Sequence, residues 1–104
     1  MDYKVVITED AEADIENFIR YLIFEVKNKQ AAGNVINDYE RTINSLATVA
    51  GSLKLCDNPK LAALGYRRIN FFTHNYFMLY RIIGDKAIVD NMFHGSQDYE
   101  NKFL

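Results

Sequence analysis

The chain has 104 residues, 49% of them hydrophobic and 25% charged, with a formal net charge of −2 at pH 7. That length and balance suit one soluble domain over residues 1–104 with a modest core. No stretch of the sequence approaches the ~20-residue apolar run that a membrane span needs, and the acidic balance argues against a general polyanion binder. The N-terminal stretch MDYKVVITEDAEAD lacks the basic-then-apolar pattern of a secretory signal. The lone Cys56 cannot form an internal disulfide, so the expected compartment is the cytoplasm. With no basic neighbour in sequence, Cys56 reads as an incidental thiol rather than a nucleophile.

Tyr3 to Ile7 is a short β-branched strand. Thr8 then has the character of a helix N-cap, and Glu9, Asp10 and Glu12 place negative charge in the first turn, where the helix dipole favours it. Ala11, Ile15, Phe18, Ile19, Leu22 and Val26 recur at three- and four-residue spacing, predicting a helix to about Lys27. Asn28 to Gln30 break it. A second helix carries Ala32, Val35, Ile36, Tyr39, Ile43, Leu46, Ala47 and Ala50 as its apolar stripe, with Gly51 as its C-cap. The short link makes the pair an antiparallel helical hairpin.

Residues 51–65 form a connector in which LAALG supplies a single helical turn. Three strands follow, at about Tyr66–Phe72, Tyr76–Ile83 and Lys86–His94, joined at Gly84-Asp85 by a two-residue turn. The fold class is therefore α+β: an N-terminal strand, a helical hairpin, a three-stranded antiparallel meander and a short C-terminal helix or tail. Regular pairing from Ile83 opposite Lys86 puts Arg81 opposite Ile88, Leu79 opposite Asp90, Phe77 opposite Met92 and Asn75 opposite His94, all on one open face. The other face, with Tyr76, Met78, Tyr80, Ile82, Val89 and Phe93, is the expected helix-packed side.

No acidic residue occurs from Asn58 through Gly84, whereas Lys60, Arg67, Arg68 and Arg81 are basic. Adjacent strand residues point to opposite faces, so only one of Arg67 and Arg68 can join Arg81 and His94. Arg81 admits two readings. It holds a scissile phosphate with His94 as general acid or base, or it pairs diagonally with Asp90 across the hairpin. His94 at the strand end suits either a proton-transfer role or a hydrogen-bonding corner. His74, in the turn before the middle strand, is expected to be solvated. Ser96 is a candidate cap for a terminal helix, and Tyr99 is either a packing lid or a proton donor. No phosphate-cradling glycine loop, nucleophile elbow or metal-ligand spacing is present, so neither cofactor nor metal is expected.

The element order, together with Gly65-Tyr66-Arg67-Arg68, the strand Asn75 to Arg81 and the tail His94-Gly95-Ser96-Gln97-Asp98-Tyr99, resembles the RelE/ParE superfamily of bacterial type II toxin–antitoxin modules along essentially the whole chain. The resemblance implies a cytoplasmic toxin neutralised by a small antitoxin that wraps the hairpin and sheet. RelE-like members are ribosome-dependent mRNA endonucleases; ParE-like members are taken to inhibit DNA gyrase. Relative to RelE-like patterns, Phe77 stands where an arginine is usual. Ser96 and Gln97 replace the two arginines of the H-G-R-R-D-Y tail, and the tail base would fall near Phe103. Arg68 is retained near the position of a catalytic lysine. The reading that follows is a ParE-like toxin acting by protein–protein inhibition. Its alternatives are a RelE-like endoribonuclease acting on ribosome-bound mRNA through Arg68, Arg81, His94 and Tyr99, or a degenerate antitoxin-binding module.

Overall fold

The computed structural model describes residues 2–100. Strand β1, Lys4–Ile7, ends at Thr8, whose extended backbone and Oγ1, accepting from the Ala11 N–H at 3.2 Å, start helix α1, Glu9–Arg20. The expected continuous helix does not reach Lys27. Tyr21–Glu25 form a π-helical turn, with the Val26 N–H donating to the Tyr21 carbonyl at 3.0 Å. Such wide turns insert an extra residue into the helix and re-aim the side chains that follow. Tyr21 and Phe24 are left exposed here. The chain reverses at Lys27, a non-glycine residue with φ 58°. Asn28 then caps helix α2, Lys29–Val49, by accepting from the Ala31 N–H at 3.0 Å.

Helix α2 runs into a 3₁₀ turn, Ala50–Ser52, instead of stopping at a glycine cap. Gly51 does not adopt positive φ. Its lack of a side chain serves another purpose, because a Cβ there would collide with the Tyr3 phenol. The connector contains helix α3, Pro59–Ala63, capped by Asn58.

The remaining strands are β2, Tyr66–Asn70, β3, Tyr76–Ile83, and β4, Lys86–His94. The sheet order is β1-β4-β3-β2, with β1 parallel to β4 and the other neighbours antiparallel. Gly84 takes φ 61° in the β3–β4 turn, as a tight hairpin requires. Ile83 faces Lys86 and Arg81 faces Ile88 as expected, but Leu79 faces Asn91 and Tyr80 faces Val89. Asp90 is thus the extra residue of a β-bulge, which shifts the pairing to Phe77 with Phe93 and Tyr76 with His94.

The bulge has a packing cause. Strict alternation from Ala87 and Val89 would have placed Asn91 in the core; the extra residue places Met92 there instead, 2% exposed. Its loosened backbone is held from two sides. The Thr8 hydroxyl donates to the Asp90 carbonyl at 3.0 Å, and the Asp14 carboxylate of α1 accepts from the Met92 N–H at 2.9 Å.

The helix-facing side of the sheet buries Met78, Tyr80, Val89 and Met92 against Ala11, Ile15, Val35 and Leu46. The face expected to be open is itself covered over its centre: Phe77, Leu79 and Phe93 pack with Cys56 and Leu61, and Tyr66 and Tyr99 lie against them. Strand β3 is therefore buried on both sides, because both its parities are apolar. No helix among the described residues is long and apolar enough to cross a membrane.

Candidate functional site

Of the four sequence-predicted site residues, Arg68 and Tyr99 come together, while Arg81 and His94 are engaged elsewhere. Arg68 faces Leu79 across the β2–β3 ladder and so shares the face of Phe77 and Leu79. Arg67, opposite Tyr80, points the other way and donates to the Leu53 carbonyl. The Arg68 guanidinium lies over the Phe77 ring, 3.7 Å from its centroid, and 5.9 Å from that of Tyr99, while its Nε donates to Asn70 Oδ1 at 2.9 Å. Stacking on rings fixes the cation yet leaves part of its fork toward a cleft of about 520 Å³ lined by Cys56, Arg68, Asn70, Tyr99 and Glu100, among others.

Arg81 is on the same face but committed. Its Nε donates to Asp90 Oδ2 at 2.8 Å, so the diagonal-pair reading is the observed one. The arginine side chain is 39% exposed, which puts the pair among surface ion pairs worth about 0–1 kcal/mol.

His94 is the main correction. Placed opposite Tyr76 by the bulge, its imidazole falls on the helix-facing side, edge-on to the Tyr76 ring at 5.1 Å. It builds a corner: Nδ1 lies 2.6 Å from Ser96 Oγ, and the His94 N–H donates to Gln97 Oε1 at 2.7 Å. Ser96 and Gln97 therefore shape the turn into the tail, and Ser96 is not a helix cap. The helical residues begin at Tyr99. Phe103 and the remainder of the expected terminal helix lie outside the described residues.

Tyr99 reaches the Arg68 face but as a lid. Its ring is T-shaped to Phe77 at 5.0 Å and tilted against Phe93 at 5.6 Å. Burial, with Cys56 and Glu100 adding to it, outweighs the hydrogen bond and charge of Arg68 and pushes the phenol pKa upward, away from proton exchange near neutrality. Burial likewise raises the Cys56 thiol, which keeps it unreactive.

Two features escaped the sequence reading. Asp38, 3% exposed, accepts from the N–H groups of Phe72, Thr73 and His74, from the Thr73 hydroxyl and from His74 Nδ1 at 2.7 Å. Burial works to raise this carboxyl, but the bonds from His74 and Thr73 outweigh it and hold the pKa at about 2. His74 is accordingly pinned rather than solvated. The available signal was Asp38 and Thr42 at helical spacing from Val35, on the buried stripe of α2. The second feature is a groove of about 420 Å³ between α1 and α2, lined by Ile15, Glu16, Ile19, Ile36, Tyr39 and Glu40 together with Arg20.

The family described as the ParE toxin of the type II toxin–antitoxin system parDE matches residues 5–99 of this chain. The chain belongs to that family. This ParE-family toxin has the fold of two solved toxin–antitoxin chains. One, from the chromosomal ParDE system of P. aeruginosa, superposes with a TM-score of 0.69 at 16% identity, covering 88% of this chain and 95% of that one. The other, from the RelBE2 toxin–antitoxin complex of Mycobacterium tuberculosis, has a TM-score of 0.59 at 16% identity, covering 90% and 99% respectively. No curated protein matches the sequence. The α+β architecture read from the sequence is the architecture these structures share.

Proposed function

We propose that this ParE-family chain acts by protein–protein blockade, with DNA gyrase as its target, and that a cognate antitoxin neutralises it in the cytoplasm. One observation carries the proposal: the bulge at Asp90 turns His94 away from the face that holds Arg68 and Arg81. Cleavage by an attacking 2′-hydroxyl needs an acceptor, a donor and free positive charge converging on one phosphate. Here the imidazole is on the opposite side of the sheet, Arg81 is paired with Asp90, and Tyr99 is packed among rings. An endoribonuclease built on Arg68, Arg81, His94 and Tyr99 therefore finds little support.

The names of the P. aeruginosa and M. tuberculosis structures, a ParDE system and a RelBE2 complex, support an antitoxin partner here. The groove between α1 and α2, with Tyr21, Phe24 and Val26 also exposed just beyond α1, is the apolar surface best suited to hold it. The test is a gyrase supercoiling assay with the purified chain, paired with 5′-end mapping of mRNA after induction in cells. Loss of supercoiling, restored by the antitoxin and with no new mRNA ends, is the expected result. Frame-registered cuts with unimpaired gyrase would reinstate the endoribonuclease and overturn the proposal.

A further inference from the structure

On the far side of α2 from the groove, Asn34, Asn37, Asp38 and Arg41 face the turn between β2 and β3 across a cavity of about 290 Å³, which Thr73 and His74 close. Its polar lining presents the Arg41 guanidinium, the amides of Asn34 and Asn37 and the imidazole of His74. The Arg41 guanidinium lies over the Phe72 ring at 4.5 Å and has no carboxylate partner among the described residues. Stacking occupies the face of a guanidinium and leaves its in-plane N–H groups for a ligand. Glu40, the next acid along α2, lines the other groove. The amides of Asn34 and Asn37 likewise have no hydrogen-bond partner among the described residues.

The one negative group is spent internally. Asp38 is only 2% exposed in its side chain and takes donors from three backbone N–H groups, a hydroxyl and an imidazole. Three backbone bonds would be enough to tie the turn to the helix; the fourth and fifth orient side chains. With Nδ1 of His74 held 2.7 Å from Asp38 Oδ2, Nε2 is the ring nitrogen left for a ligand, and 31% of the side chain is exposed. A buried carboxylate behind an imidazole is the standard way to hold such a ring at a binding or catalytic position.

We propose that this cavity binds a phosphate group that carries a hydroxyl: the fork of Arg41 and the amides of Asn34 and Asn37 donate to its oxygens, and Nε2 of His74, whose Nδ1–H is given to Asp38, accepts from its P–OH. Donors from the helix wall facing an acceptor from the turn suit a tetrahedral phosphate bearing a hydroxyl better than a planar carboxylate, and a rigid arginine fork matches phosphate oxygens. The volume accommodates the phosphate with a small substituent. This site is independent of the gyrase reading: it lies on a different surface and uses none of Arg68, Arg81, His94 or Tyr99.

The test is an amide-resolved NMR titration of the full chain with inorganic phosphate and, separately, with a nucleoside monophosphate, against sodium chloride at matched ionic strength. Saturable shifts confined to residues 34–41 and 72–75 are expected with phosphate and not with chloride. Equal affinities for the two ligands would identify a site for the free anion; tighter binding of the nucleotide would identify its phosphate as the source. Arg41→Gln leaves the Asp38 bonds untouched and should weaken binding by about tenfold or more, the consequence of losing a charge-assisted contact. Arg41→Lys, which keeps the charge and loses the fork, should fall between the two. Shifts that do not saturate, that chloride reproduces, or that Arg41→Gln leaves unchanged would each overturn the proposal.

Discussion

Replacing Asp38 with asparagine isolates the charge at the centre of the α2–turn connection. The carboxylate is buried and its pKa is held at about 2 against an ordinary value of 3.8. That difference corresponds to roughly 2 kcal/mol of stability at neutral pH. An amide in its place also turns an N–H₂ group toward donors that need an acceptor, adding about 1 kcal/mol. Asp38→Asn should therefore cost about 3 kcal/mol at pH 7, or a drop in Tm of about 10–20 °C for a domain of this size. Because the folded pKa is depressed, the charge-dependent part is present above the unfolded value of 3.8 and is lost as pH falls through about 2. About half of it should be gone by pH 3. Urea unfolding followed by circular dichroism between pH 7 and pH 3 reads this directly, since the other carboxylates titrate in both proteins and cancel in the difference. A gap between wild type and variant below about 0.5 kcal/mol at pH 7, or one that stays constant down to pH 3, would refute the reasoning.

Three further perturbations probe other parts of the fold and site. Tyr80→Phe removes the buried bond from its hydroxyl to the Ala50 carbonyl at 2.7 Å, and urea midpoints should show a loss of about 1–2 kcal/mol. Thr8→Ala strips the α1 cap and the bond to the bulge carbonyl of Asp90 together, so a loss of about 1–2 kcal/mol is expected, with faster hydrogen exchange at Met92 as its local mark. The pair His94→Ala and Tyr99→Phe should leave growth arrest essentially unchanged on induction in cells. A working acid–base pair at these positions would instead predict a decrease of about 100-fold or more in cleavage.

Much of the architecture was legible because its signals are local. The cap at Thr8, the helical spacing from Ala11 to Leu22, the break at Asn28 and the Gly84-Asp85 turn act within a few residues of themselves. The structure places elements where they indicate. The same parity argument located the helix-facing residues of β3, from Tyr76 to Ile82. It failed on β4 because alternation assumes an unbroken ladder. One extra residue at Asp90 reversed the sides of Met92, Phe93 and His94.

The sequence by itself determined the element types, the hairpin turn and the family resemblance, since propensity, capping and periodicity belong to neighbouring residues. Tertiary structure alone decided that β1 would run parallel beside β4, that Asp14 and Thr8 would hold a bulge about eighty residues away in sequence, and that Asp38 would gather the β2–β3 turn. Each depends on satisfying backbone groups and filling volume between segments distant in the chain. Only the packed fold brings those segments together, and with them the sidedness of His94 on which the functional reading turns.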